Sequence, residues 1–557
     1  MKHSEKSIRK LLPKWADQPH CNRVLITYFV LAALVPSFIL VFTEGYSFLH
    51  VVSALLLPAG FYTLWSVASR RSGAMVLWGL IWLILAAFQL VLLYMFGNSI
   101  IAVDMFTNLF TTNPSEAGEL LNNILPILAV VCVIYVPLIV LAVIALRRKH
   151  TLERPLRRRV AWIGAAMLVA GCATVQFDVF PFNVLQNIYL SLDELHRVRH
   201  YPETSRDFAY DASRTADAPG REIYVMVIGE AARADNWQLY GYGRETNPLL
   251  AQKKNLVVYN NVVTQSNATH KSVPMILSSA SAMNHDEIYR RKGIVQLYKD
   301  MGFRTLVVSC QAPNRGLIQM MTEESDSVIY LNHKYDGEML DHLITAIKAD
   351  TSDLFVVLHS YGSHFNYRER YPDTFSKFTP DNDVSISKQN KQRMVNAYDN
   401  SILYTDWFLS SLIDILNESG ACTAMFYCAD HGEDLFDDHR GRFLHSSPTI
   451  TYYQAHVACV GWFSDRWRAA YPQAAAAAES NTMAPATTHS VFHTVAQMAA
   501  IESPYVDATV SLLSPDFDYA AHRYYLDDHC DAMKYGDMGF IDEDWEQFAR
   551  HGISDLE

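Results

Sequence analysis

The first third of the chain is written in long apolar blocks and the rest in short ones. Runs at 24–43, 48–68, 75–96, 125–146 and 160–180 are almost free of charge, and each has the roughly 20 residues a helix needs to cross a bilayer core. They predict an α-helical membrane domain of five spans. Beyond about 220 the pattern changes. Short apolar runs at 223–228, 256–259, 305–308, 354–358, 424–427 and 457–462 alternate with helical-period segments at 293–301, 339–349, 392–417 and 489–500. Continuous runs of this kind fit a parallel sheet covered on both faces, so this part predicts an α/β sandwich.

Charge adds an orientation. Lys and Arg occupy alternate connecting segments: Lys2 to Lys14 with Arg23, then Arg70 and Arg71, then Arg147 to Lys149 with Arg154 to Arg159. The segments 44–47 and 97–124 have none. The positive-inside rule then puts the amino terminus in the cytoplasm and, after an odd number of spans, everything from about 181 outside. No small-residue cleavage site follows the first run, which therefore reads as an anchor and not as a removed signal peptide. The expected divisions are 1–180 for the five-span domain with its external loop 97–124, 181–220 for a bridging helix and linker, 221–514 for the exported domain, and 515–557 for an acidic carboxyl-terminal extension. Within the external loop, Thr112 or Asn113 before Pro114 and Glu116 marks a helix start.

The formal net charge of −12 is carried entirely by residues beyond the membrane part, which argues against nucleic acid as a partner. Of the 8 cysteines, Cys310, Cys422, Cys428, Cys459 and Cys530 fall in the exported part, an odd number that leaves at least one thiol unpaired within the chain.

The candidate chemistry collects where apolar runs stop. The run 424–427 ends in Cys428-Ala429-Asp430-His431-Gly432-Glu433 and the run 223–228 in Gly229-Glu230. In open α/β sheets the carboxyl ends of strands are where ligands bind. Two carboxylates and an imidazole at adjacent strand ends make a three-ligand set suited to zinc, with a fourth position open. Thr269, in Asn267-Ala-Thr269-His-Lys-Ser-Val-Pro274, is the candidate for that position. A hydroxyl at a helix amino terminus sits beside backbone N–H groups that stabilise a phosphate anion, and zinc would make it a nucleophile near neutral pH. Thr269 as a simple N-cap is the alternative, with Ser266 and Ser272 as rival hydroxyls. Two further loops each carry a histidine pair, His359 with His364 and His439 with His445, candidates for binding substrate phosphate or for general acid catalysis.

Taken together, these residues resemble a family, the membrane phosphoethanolamine transferases that decorate bacterial lipopolysaccharide, among them lipid A transferases and the mobile colistin-resistance enzymes. The resemblance runs through Asp104-Met-Phe-Thr-Asn108, Ile228-Gly-Glu-Ala-Ala-Arg-Ala-Asp235, Leu239-Tyr-Gly-Tyr-Gly-Arg-Glu-Thr-Asn-Pro248, Thr269-His-Lys-Ser-Val-Pro274, Gly362-Ser-His364, Tyr398-Asp-Asn-Ser-Ile-Leu-Tyr-Thr-Asp406 and Ala429-Asp-His-Gly-Glu433. It implies an alkaline-phosphatase or sulfatase-like catalytic domain in the periplasm, held on a multi-pass bacterial inner-membrane anchor. It implies Zn2+ held by Glu230, Asp430, His431 and Thr269, with Thr269 the phosphorylated nucleophile. His364 and His445 match histidines implicated in substrate binding and catalysis, and Asn108 and Glu116 match residues proposed to meet the lipid head group. His359 and His439 stand beside them as candidate substrate-binding residues. The implied donor is phosphatidylethanolamine, and the implied acceptor is lipopolysaccharide, on lipid A or core, or a related envelope glycan. Two departures bear on the acceptor. Gln265 and Met275 flank Thr269 where lipid A specialists carry cysteines, and the interval between Asp430-His431 and Leu444-His445 is longer. A phosphoglycerol transferase using phosphatidylglycerol, or an inactive lipid-binding sensor, would share the same plan.

Overall fold

The structure is a computed structural model that describes residues 18–97, 99–111, 114–175, 178–313, 315–332, 335–382, 386–519, 523–553 and 556. Its contacts divide the chain into two units, Met1–Ala102 with Leu120–Tyr189, and Val103–Glu119 with Leu190–Glu557.

The first unit is helical. Its elements are α1 (Gln18–Thr43), α2 (Phe48–Ser66), α3 (Ser72–Trp78) and α4 (Leu80–Phe96). After α5 (Val103–Thr111), which groups with the second unit, come α6 (Pro114–Arg147), α7 (Arg154–Thr174) and α8 (Phe182–Thr204). Pro114 is the first helical residue of α6, the place where a missing N–H costs nothing. Among the described residues three helices are long and apolar enough to cross a membrane, α1, α2 and the part of α6 from Asn123, and the pair α3 and α4, bent by 50°, makes a fourth if it acts as one span. Five spans are not confirmed among the described residues. The expected fifth falls on α7, whose first turns hold Arg154, Arg157, Arg158 and Arg159. That leaves residues 160–174 uncharged, about 22 Å of helix, against a hydrocarbon core of about 30 Å. Helices α2 and α7 touch backbone to backbone. A Cβ on Gly60 would lie 2.4 Å from Leu168 N, and one on Gly171 would lie 2.5 Å from Leu57 N, the close approach that small residues permit between apolar helices.

The second unit is built on a seven-stranded sheet of β1 (Glu222–Gly229), β2 (Leu256–Val258), β3 (Arg304–Ser309), β4 (Ser327–Tyr330), β5 (Leu354–His359), β6 (Cys422–Ala429) and β7 (Cys459–Phe463). The order across the sheet is β2-β7-β6-β1-β5-β3-β4. All neighbours are parallel except β7, which runs against both β6 and β2. β1 and β6 lie at its centre and every residue of both is buried, which is why their sequences are continuous apolar runs and not alternating ones. Each expected run became a strand, and β4 is the one the pattern did not announce. It is a half-exposed edge strand of four residues following Glu323-Glu-Ser-Asp326, too short and too polar in its setting to stand out.

Helices fill in around the sheet: α9 (Thr269–Leu277), α10 (Lys391–Glu418) and α11 (Ser490–Met498). The carboxyl-terminal residues are part of this core. A hairpin of Tyr524–Leu526 with Ala532–Lys534 precedes α12 (Asp542–Arg550). Tyr525, Tyr535 and Phe548 are buried with Val263, Ile450 and Tyr452. Leu526 N donates to Gln265 O at 2.7 Å and the Tyr535 hydroxyl to Thr264 O, so the extension grips the segment that leads into α9.

Candidate active site

The paired strands β1 and β6 end in register, Gly229 opposite Ala429, and the next residue of each is a carboxylate, Glu230 and Asp430. Glycine is required at 229 because a Cβ there would lie 2.3 Å from the Tyr427 hydroxyl oxygen. Asp430 Oδ1 accepts from Ala231 N at 3.1 Å and from His431 N at 2.8 Å. Its Oδ2 is buried and makes no hydrogen bond among the described residues. Such an atom has paid for desolvation and calls for a cation. Glu230 Oε2 accepts from Gln311 Nε2 at 2.9 Å.

His431 completes the cluster. Its Nδ1 lies 2.9 Å from Gly432 O; with the proton on Nδ1, the Nε2 lone pair faces Asp430 Oδ2 at 3.3 Å and Glu230 Oε1 at 3.6 Å. The Thr269 hydroxyl is 3.0 Å from the same nitrogen. Thr269 is not an N-cap. Ala268 holds that place and Thr269 is the first residue of α9, so its side chain is released to face His431 beside the positive end of the helix. The rival hydroxyls are committed elsewhere. Ser272 Oγ donates to Asp430 O at 2.7 Å, and Ser266 Oγ accepts from Ala268 N.

Of the two histidine pairs, one member of each comes to the site. One ligand atom each of Glu230, His431 and His445 lie within 4.8 Å of one another. The His445 ring is centred 4.0 Å from that of His431 and 6.3 Å from that of His364. His439 is elsewhere, 68% exposed with Nδ1 3.1 Å from Glu543 on α12. His359 ends β5 as a buried residue with Nδ1 3.5 Å from Ser309 Oγ, and presents no surface to a substrate. Asn108 and Glu116 lie on α5 and α6, but their side chains are outside the described residues.

Two site residues were missed by sequence reasoning. Gln311 stands just past β3, and the strand-end rule that found Glu230 and Asp430 would have found it. Glu433 stands in the Asp430-His431 motif itself; its Oε2 is 2.7 Å from His445 Nδ1 and its Oε1 accepts from the Tyr367 hydroxyl at 2.7 Å. A carboxylate behind an imidazole sets its tautomer and direction. Burial pushes the Glu433 carboxyl up to about 8 and the His445 imidazole down to about 4, and it lowers His431 as well.

A sheet whose central strand ends bring carboxylates and an imidazole to a helix-terminal hydroxyl is suited to group transfer, and a sequence model described as Sulfatase matches residues 222–501, half of the chain. A second, described as phosphoethanolamine transferase EptA/EptB, matches residues 78–187. The chain belongs to the sulfatase family and, within it, to the membrane phosphoethanolamine transferases. It is similar to the phosphoethanolamine transferase EptA of Salmonella typhimurium, 27% identical over 311 residues that make up 53% of this chain and 56% of that one. The chain thus spans about half the length of the curated relatives it matches. Among solved structures, the integral membrane lipooligosaccharide phosphoethanolamine transferase A of Neisseria meningitidis shares the fold at TM-score 0.68 and 18% identity, over 89% of this chain and 98% of that one. The periplasmic domain of EptC from Escherichia coli, solved as a zinc complex, matches at TM-score 0.53 and 24% identity over 59% of this chain and 98% of that one.

Proposed function

We propose that this protein transfers phosphoethanolamine from phosphatidylethanolamine, through a phosphorylated Thr269, to lipopolysaccharide or a related envelope glycan. The observation that carries this reading is the 3.0 Å approach of Thr269 Oγ1 to His431 Nε2 at the amino terminus of α9. The named activity of the EptA and lipooligosaccharide relatives supports the donor group and the acceptor class.

Zinc fits the donor set. Glu230, Asp430 and His431 offer two carboxylates and a neutral imidazole, Asp430 Oδ2 is buried without a hydrogen bond among the described residues, and the EptC relative was solved with zinc. When bound, the ion supplies positive charge that lowers the hydroxyl pKa and offsets charge developing on the phosphate. The chain's own residues do the rest. Thr269 passes its hydroxyl proton to the pair of His445 and Glu433 as Oγ1 attacks phosphorus, the bond to the diacylglycerol oxygen breaks, and that oxygen takes the proton from the pair, with His364 beside it. Glu433 holds His445 at Nδ1. An acceptor hydroxyl or monoanionic phosphate then gives its proton to the same pair and attacks phosphorus, the bond to Thr269 Oγ1 breaks, and Thr269 takes the proton back, leaving phosphoethanolamine on the acceptor. Apolar helices in the same chain support a membrane setting where a lipid donor is at hand, and the periplasmic domain of the EptC relative supports a catalytic unit on the periplasmic side of a bacterial inner membrane.

The test is the intact mass and peptide map of the full chain after incubation with phosphatidylethanolamine and no acceptor. A phosphoethanolamine adduct on Thr269 is expected. An adduct from phosphatidylglycerol alone would reassign the donor, and none from either lipid would leave a lipid-binding sensor.

A further inference from the structure

The carboxyl-terminal hairpin closes a second cluster of ligand-type side chains, separate from the one at Glu230. Its turn reads Asp527-Asp-His-Cys530, and one ligand atom each of Asp527, Asp528 and His529 lie within 4.8 Å of one another. His529 Nδ1 is 3.4 Å from Asp528 Oδ1. Asp528, His529 and Cys530 also line a cavity of about 210 Å³ together with His285. His285 is 5% exposed, and its Nε2 makes no hydrogen bond among the described residues. A buried imidazole nitrogen left unsatisfied is costly unless something fills its place.

The electrostatics of the cavity favour a cation. Asp193, Glu194, Asp286 and Asp528 line it against a single guanidinium, Arg197, which is already paired with Asp193 at 2.9 Å and Asp286 at 2.5 Å. The nearby Lys271 ammonium is spoken for by Asp104 at 2.7 Å and by the carbonyls of Asp527 and Asp528 at 3.0 Å each. Imidazoles with carboxylates and a neighbouring thiol suit zinc, whereas magnesium and calcium take oxygen alone.

From this juxtaposition we propose that Asp527, Asp528 and His529 of the carboxyl-terminal turn, with His285 of the same cavity, form a second zinc site. Four protein ligands close the coordination sphere, which makes the site structural and not catalytic. Because the turn carbonyls hold Lys271, two residues after Thr269, the ion fixes the carboxyl-terminal segment against the start of α9.

The test is zinc per chain, by elemental analysis of the full-length protein in detergent after equilibration with buffered zinc. Two zinc ions per chain are expected in the wild type, and one in each of H529A, H285Q and the active-site variant D430A. Protection of the carboxyl-terminal segment from protease should require zinc, and should be lost in H529A and kept in D430A. H285Q keeps a polar side chain in place, so loss of one ion in buffered zinc together with melting equal to the wild type in zinc-free buffer separates ligation from misfolding. One zinc in the wild type, lost in D430A and kept in H529A, overturns the second site while leaving the active-site reading intact. One zinc lost in H529A and kept in D430A does the reverse.

Discussion

Lys271 Nζ lies 2.7 Å from Asp104 Oδ1, with both side chains buried, so α5 braces the helix that carries Thr269 through a charge pair. His270 Nε2 adds a contact to the same oxygen at 3.2 Å. Burial works against the Asp104 charge, yet Lys271 and His270 hold its carboxyl down to about 2. D104A strands a buried ammonium and should cost about 3–5 kcal/mol in denaturant unfolding, whereas the apolar pair D104L/K271M should recover most of that loss. Equal stability of single and double variants would show that the pair is not coupled.

In the proposed reaction Thr269 supplies the hydroxyl and Glu230, Asp430 and His431 the remaining donors to zinc. T269A is therefore expected to give no phosphoethanolamine adduct while retaining the active-site zinc, and T269S to give a slower adduct at the same position. Chelation of zinc should abolish the wild-type adduct. Adduct formation in T269A, read by peptide mapping, would move the nucleophile elsewhere.

Glu433 reaches His445 from behind at 2.7 Å. E433Q should slow adduct formation by about 10–100-fold, the usual consequence of losing a carboxylate that orients a working histidine, with zinc content unchanged. A rate equal to wild type in rapid-quench measurements would take His445 out of the proton transfer.

Glu324 is buried and accepts hydrogen bonds from the Tyr201 hydroxyl at 2.6 Å and Gly293 N at 2.8 Å. Burial raises its carboxyl from 4.5 to about 7. The folded state therefore binds more protons than the unfolded one between these values, and this group's contribution is full below about 4.5 and lost as pH rises through about 7. E324Q should flatten the stability profile across that window. An unchanged slope in denaturant midpoints measured from pH 4.5 to 7.5 would contradict the assignment.

Much of the site was legible because strand ends announce themselves. Glu230 and Asp430 each follow a continuous apolar run, and a buried parallel strand must stop where its sequence turns polar. Gln311 obeyed the same rule and was passed over for want of charge. His439 and His445 could not be told apart by spacing, since both follow β6 in one loop. The exposed pairing of His439 with Glu543, against the enclosed pairing of His445 with Glu433, separates them. The expected fifth span is not confirmed among the described residues, because the arginines at the start of α7 shorten its uncharged stretch.

The sequence by itself determined the elements, the central strands and the ligand types, because periodicity and burial act along the chain. Tertiary structure alone decided which hydroxyl faces His431, which histidines meet, that β7 runs antiparallel, and that residues 524–553 belong to the catalytic core. Those facts depend on contacts between residues far apart in the chain, such as Tyr535 with Thr264 and Lys271 with Asp104, and no local pattern encodes a distant partner.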